Sequence, residues 1–317
     1  MNLIESTVKG IRPLDEAAMR AARDMLDAKL KPPGSLGRLE DIAVKLAGIT
    51  GKTGGSIGKK TIMVMCADNG VTEEGVSSFP ADISALVAET MLKGISGVSV
   101  LARHAGADLM VVDLGLFREV NDGRMLKRRI RAGTSNMANG PAMSRAEAVR
   151  AIETGIETAL SAIEGGARIL GTGEIGIGNT TTASAVVHAM TGEGLDSVVG
   201  RGAGLTDDGL RHKKEIIRRA MELNGPDPDD AVDVLSKVGG FDIAGLAGCY
   251  LAAASSRTPI VIDGFIAGAA AVAACGIHPG ARDFMFTSHA SVEPGVAAVS
   301  RALDLPPMLA LEMRLGE

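Results

Sequence analysis

The sharpest chemical signal in the sequence is GTGEIGIGNTTTASA, Gly171 to Ala185, where an apolar run leads through closely spaced glycines into Asn179 and three threonines that open a helix. A helix start carries free N–H groups and a partial positive charge, so it attracts anions. Phosphate is the natural guest: Gly173, Gly176 and Gly178 let the backbone approach it, and Thr180 to Thr182 offer hydroxyl donors. An N-cap and a tight turn with no ligand would use the same residue types. The segment also contains a literal GxGxxG (Gly171, Gly173, Gly176), the short form of a dinucleotide fingerprint. The acidic partner expected about twenty residues later should close a second strand, whereas Asp196 precedes Val198 and Val199. A NAD-dependent oxidoreductase using this loop is therefore the alternative reading. The Walker form is absent, since no Gly-Lys-Ser/Thr follows.

A second Gly-rich turn, GRGAGLTDDGLRHKK from Gly200 to Lys214, also runs into a helix. Thr206 is placed to cap it, with Asp207 and Asp208 in the first turn. Lys213 falls about two turns in, where it either reaches the same phosphate as a point charge or stays solvated. The histidines at 104, 188, 212, 278 and 289 are scattered and HExxH is absent, so no metal is expected. No GxSxG elbow offers a serine nucleophile, and no cofactor is called for.

Such loops need a frame. After a Gly-rich turn at residues 51 to 58, short apolar runs alternate with longer helical patterns: TIMVMCA at 61, DLMVVDL at 108, ARILGTG at 167, PIVIDG at 259 and FMFTS at 284. This alternation predicts βαβ units, hence an α/β fold around a mostly parallel sheet. Continuous apolar runs suit strands buried on both faces. Asp68-Asn69-Gly70, Asp113, Glu174, Asp263-Gly264 and Ser288-His289 follow the runs, where open parallel sheets bind ligands, although polar residues also punctuate ordinary turns. Before the first run, Ala18, Met19, Ala22, Met25, Leu26 and Leu30 repeat at helical spacing from Pro13 to Leu30, and KPPGSLG ends the pattern. Leu39, Ile42, Ala43 and Leu46 resume it, so the first fifty residues read as helical and as part of a smaller lobe.

Composition agrees with helices lying closely on a sheet. Of 317 residues 46% are hydrophobic, yet there are six Phe, one Tyr and no Trp, so Val, Ile, Leu, Met and Ala must fill the core. Forty-one glycines without a collagen-like period point to many strand-to-helix turns. A net charge of −5 and the lack of a long basic run argue against nucleic acid. Three distant cysteines, 66, 249 and 275, suggest neither a disulfide framework nor a CxxC site and fit a reducing cytoplasm. The N-terminus shows no secretion signal. Pro259 to Ile277 approaches the length of a membrane span but contains Asp263 and three glycines, so a membrane is not expected.

KPPGSLGRLE, ADNGVTEEGVSSFP, GTGEIGIGNTTTASA, GRGAGL, GGFDIAGLAG, IDGFIAGAAA, SHASVEPG and LEMRLGE together resemble, in this order, the motifs of the nicotinate-nucleotide:dimethylbenzimidazole phosphoribosyltransferase family, from about residue 30 to the end. The resemblance implies a Rossmann-like large domain over 59–290, a small helical lobe built from residues 1–58 and the returning segment 291–317, and a dimer. A homodimer is expected, or a heterodimer of related chains in which one partner is inactive; Glu174 and Glu317 argue against an inactive role for this chain. The implied reaction joins nicotinate mononucleotide and 5,6-dimethylbenzimidazole into α-ribazole 5′-phosphate and nicotinate.

By motif, Glu317 would be the general base that takes the proton from the incoming azole. Glu174 would hold ribose hydroxyls. Gly176, Asn179, Thr180, Gly202, Ala203, Gly204, Lys213 and Ser291 would surround phosphate and ribose, with Asp263, Gly264 and Phe265 along the nucleotide. Ser78, Phe79 and Pro80 would line the base pocket, and Leu315 would help to raise the pKa of the base. Two departures stand out. Leu86 occupies the place of a family Gln shortly after the SxP block, which should relax discrimination and admit other benzimidazoles, adenine or phenols. Family members also continue past the glutamate in a Gly-rich tail, whereas this sequence stops at Glu317; a chain ending there would set its terminal carboxylate beside that side chain.

Overall fold

Each of the five apolar runs becomes a strand of one sheet in the computed structural model, which describes all residues except Met1, Gly55, Ser56, Ala203, Arg314, Gly316 and Glu317. Helices α1 (Leu3–Gly10), α2 (Glu16–Asp27) and α3 (Arg38–Thr50) precede strand β1 (Lys59–Ala67). Next come α4 (Ile83–Lys93), α5 (Gly97–Ala105), β2 (Ala107–Gly115), β3 (Leu126–Lys127), α6 (Arg145–Glu164) and β4 (Ala167–Ile175). The chain continues through α7 (Asn179–Thr191), α8 (Leu195–Val198), α9 (Asp207–Asn224), α10 (Ala231–Val238), α11 (Phe241–Ser255), β5 (Ile260–Ile262), α12 (Phe265–Ile277), β6 (Met285–Thr287) and α13 (Val296–Leu303).

All pairings among these strands are parallel, in the order β3-β2-β1-β4-β5-β6. The chain lays β2 and β3 on one side of β1, then crosses back to place β4 on the other. That reversal opens a crevice beyond the carboxyl ends of β1 and β4. Period-2 alternation assigns the faces: Met63, Met65, Val112, Leu114 and Leu170 join the core under α6, α7, α11 and α12, while Val64, Cys66, Val111 and Ile175 meet α4. Both faces carry helices, so the strands read as unbroken apolar runs.

The scarcity of aromatic residues reflects close helix contacts. A Cβ built on Gly155 of α6 would come within 1.8 Å of the Gly245 carbonyl oxygen on α11, and one on Gly248 within 1.9 Å of the Ile152 oxygen. Gly155→Ala must therefore push two backbones apart. A loss of about 1–3 kcal/mol is expected, to be read from chemical denaturation; unchanged stability would show that the crossing is looser than this.

Several elements differ from the sequence reading. The helix expected from Pro13 to Leu30 spans Glu16–Asp27, capped by the Asp15 carboxylate, which accepts from Ala18 N at 2.9 Å. β3 is an extra edge strand of two residues, short and basic, as edges that resist further pairing tend to be. The stretch 259–277 forms β5 and the buried α12, a core unit. Ile83 to Ala105 is apolar enough for a span by composition, but left-handed Gly94 (φ 77°) and the Ser96 cap divide it into two short helices. β4 extends to Ile175, so Gly171 and Gly173 are strand residues and the Gly-rich turn shrinks to Gly176–Gly178. Gly173 is thus not an anion-approach position, and the GxGxxG lies mostly in a strand, which removes the dinucleotide fingerprint.

Candidate active site

Parallel pairing puts all strand carboxyl ends on one edge, yet the acidic residues there do different work. Asp68 and Asp113 serve the backbone: Asp68 Oδ2 accepts from Phe117 N at 2.7 Å, and Asp113 Oδ1 accepts from Leu116 N at 2.9 Å while Arg129 sits 3.4 Å from its other oxygen. Glu174 near the end of β4, Asp263 after β5 and Ser288 and His289 after β6 lie at the carboxyl ends of three adjacent strands. With Gly264, Ser291, Met313 and Leu315 they line a cleft of about 530 Å³. Gly171 and Gly173 leave its floor without side chains, and it continues along the sheet to Val98 and Leu101 of α5.

Burial of carboxyl groups in this low-dielectric corner raises their pKa values, and their mutual crowding adds to it for Glu174 and Asp242. Glu174 is pushed up to about 8, chiefly by burial and then by the negative charges of Asp242 and Asp263. Asp242, at the start of α11, is pushed up to about 7, again chiefly by burial, against hydrogen bonds from Ile243 N and the Asn179 side chain. Asp263 is raised by burial and held back by His289, whose Nδ1 lies 3.9 Å from Asp263 Oδ1. Near pH 7 Glu174 is therefore mostly a neutral acid, able to donate to a ligand hydroxyl as well as accept from one.

One ring nitrogen of His289 has a defined role. The Ser288 hydroxyl donates to the Asp263 carbonyl (3.0 Å) and also lies 2.9 Å from His289 Nδ1. A hydroxyl has one hydrogen, so Nδ1 carries a hydrogen and donates to Ser288 Oγ.

The two Gly-rich turns meet beside this cleft. α7 begins at Asn179 after Gly178 in the left-handed region (φ 91°), and a Cβ on Gly176 would come 2.0 Å from the Ala67 carbonyl oxygen, so neither position tolerates a side chain freely. Lys213 Nζ donates to Thr180 Oγ1 at 2.8 Å and to the Gly200 carbonyl at 3.2 Å. The lysine is fully buried, and burial pulls it down to about 8 while the Glu293 carboxylate pulls the other way. Gly202 (φ 53°) faces Thr180 at 3.0 Å from its would-be Cβ. A buried cation at a helix start is an anion site in waiting.

The structure thus groups Gly176, Asn179, Thr180, Gly202 and Lys213 around one helix start, and Glu174, Asp263, Gly264, Ser291 and Leu315 around the cleft. Gly204 follows in the same turn with φ 99°. Phe265 is buried against Gly295 and is not part of the cleft wall. Ser78, Phe79, Pro80 and Leu86, expected around the base, do not line this cleft either; Phe79 and Leu86 are about half exposed on the loop after β1 and on α4. Ala203 and Glu317 lie outside the described residues. The sequence reading marks His289 only as a strand-end residue and passes over Asp242, Glu293 and Met313. All four sit in the motif blocks FDIAG, SHASVEPG and LEMRLGE, which for Asp242, Glu293 and Met313 is the only signal that marks them.

In open parallel sheets the crevice at such a reversal holds the ligand, and a buried lysine beside carboxyl groups whose pKa burial raises suits one bearing both phosphate and hydroxyls: a nucleotide-handling α/β enzyme. Comparison with known proteins narrows that class. The DBI_PRT phosphoribosyltransferase family matches residues 11–317. The nicotinate-nucleotide–dimethylbenzimidazole phosphoribosyltransferase of Clostridium tetani is 48% identical over 100% of this chain and 88% of its own length. The protein of the same name from Ruminiclostridium cellulolyticum is 51% identical over 99% of this chain and 89% of its own. The crystal structure of CobT from Thermus thermophilus superposes with a TM-score of 0.91 at 38% identity, covering 94% of this chain and 90% of that one. The chain belongs to this phosphoribosyltransferase family.

Proposed function

We propose that the protein transfers the 5-phosphoribosyl group from nicotinate mononucleotide to 5,6-dimethylbenzimidazole or a related lower-ligand base. The azole nitrogen forms its bond to C1′ from the face opposite the departing nicotinate, the C1′–nitrogen bond to nicotinate breaks, and the azole proton passes to Glu317. The β linkage becomes α, giving α-ribazole 5′-phosphate and nicotinate. Lys213, Thr180 and the start of α7 bind the phosphate, with Gly202, Ala203 and Gly204 closing round it. Glu174, Ser291 and Asp263 hold the ribose side and Gly264 shapes the nucleotide's wall, with Phe265 packed behind it. Leu315 encloses the base from within the cleft, and the family motif adds Ser78, Phe79, Pro80 and Leu86 from outside its lining; Leu86 in place of an amide widens the choice to other benzimidazoles, adenine or phenols. A small lobe of residues 1–58 and 291–317 against a large domain of 59–290, a dimer of identical or related chains, and a cytoplasmic site of action belong to the same reading.

The observation that carries it is the buried Lys213 bonded to Thr180 at the start of α7, beside a cleft walled by Glu174 and Leu315. Incubation with nicotinate mononucleotide and a panel of azoles and phenols, read by mass spectrometry, tests it. The expected product is a ribosyl-phosphate adduct of at least one azole together with free nicotinate. No adduct from any of them, or turnover of NADH instead, would refute the reading.

A further inference from the structure

The KPPGSLGRLE motif has no part in the chemistry above, yet its geometry is specific. Glu40 is 1% exposed, and its Oε1 accepts from Lys31 Nζ at 2.8 Å and from Leu36 N at 3.0 Å. A buried carboxylate bonded to both ends of the loop holds it closed and fixes the start of α3. Arg38 is the first residue of that helix, where a cation faces the positive end of the helix dipole, an unfavourable place unless something else holds it there. That something is a pair of consecutive carbonyls far along the chain: Arg38 Nη2 donates to Pro306 O at 2.9 Å and Nη1 donates to Pro307 O.

Proline has no N–H, so Pro306 and Pro307 cannot pair as donors in a sheet, and their carbonyls remain available for an outside donor. Thr287, at the end of β6, donates to the same Pro306 oxygen at 2.6 Å. Directly after the prolines the chain joins the sheet edge: Leu309 N donates to Ser288 O at 3.0 Å and Ala290 N to Leu309 O at 2.8 Å. The strap so anchored delivers Met313 and Leu315 to the cleft that contains Glu174.

We infer that Arg38, aligned by the Glu40–Lys31 lock, is a positioning residue that fixes the strap from Pro306 to Leu315 and thereby the base side of the cleft. The inference rests on the phosphoribosyltransferase reading for its kinetic consequence, but not for its structural one. Two measurements on Arg38→Ala and Arg38→Lys test it. Amide exchange at Leu309 and Ala290 should quicken by about tenfold in Arg38→Ala. The KM for the azole should rise by about tenfold while that for nicotinate mononucleotide moves by less than about twofold, and added guanidinium should restore part of the loss. Arg38→Lys keeps the charge but not the fork, so it should lie between the two. Unchanged exchange overturns the inference, and so does an equal rise of both KM values without rescue by guanidinium. Wild-type protein that forms no adduct would refute the transferase reading instead, and the exchange rates would then decide the clamp alone.

Discussion

Turnover is expected to fall by about 10²- to 10⁴-fold in Glu317→Gln, with binding of nicotinate mononucleotide unchanged. The substitution keeps the size of the side chain and a hydrogen-bond acceptor but removes the capacity to take a proton. As the azole nitrogen attacks C1′ the ring gains positive charge and its N–H becomes acidic, so a carboxylate within reach lowers the barrier only if it can accept that proton. The residue follows Leu315 by two positions, and Leu315 and Met313 form an apolar wall of the cleft. The phosphate site proposed above lies on α7 and α9, which is why nucleotide affinity should survive. Single-turnover assays of the variant, with a parallel nucleotide titration, separate the two effects. Near wild-type turnover would move the proton transfer to another group, and Glu174 would be the first to examine.

What could be read from the chain alone followed from how local each feature is. The strands were legible because burial on both faces forces consecutive apolar residues, as in β1 from Thr61 to Ala67. β3 was not, because two residues beside a basic stretch carry no period. The Gly176–Thr182 turn announced itself because tight turns and helix starts impose residue types over a few positions. Lys213 is the opposite case. Its neighbours Arg211, His212, Lys214 and Glu215 describe a solvated helix face, and only the packing of α9 on α7 turns this one lysine inward. Asp242 likewise looks like an ordinary first-turn acid of α11, and its contact with Asn179 depends on the sheet bringing two distant helix starts together. Glu293 acts through a tertiary partner as well, so spacing could not single it out.

Convergence of those long-range placements gives the site a pH signature, and Lys213→Met should both weaken nucleotide binding and erase half of it. Lys213 is pulled down to about 8 and Glu174 pushed up to about 8, each mainly by burial. Below that pH the pair presents a cation and a neutral acid to an anionic ligand; above it, a neutral amine and an anion. Both changes disfavour a phosphate. The KM for nicotinate mononucleotide should therefore rise above pH 8, with a limiting slope approaching two decades per pH unit for two protons, while protonation of the phosphate below about pH 6 sets the other limit. Lys213→Met, which fills the same buried space without charge, should raise that KM roughly 10²-fold at pH 7 and reduce the alkaline slope to one. Glu174→Gln should also reduce it to one, but from the other group. The sign on stability differs between these sites. Glu174 binds its proton more tightly folded than unfolded, so its contribution to stability declines as pH rises from 4.5 through about 8. Glu174→Gln should accordingly gain melting temperature relative to wild type at pH 8 and little at pH 4. A nucleotide KM that stays flat to pH 9 in the wild type would show that neither group faces the ligand.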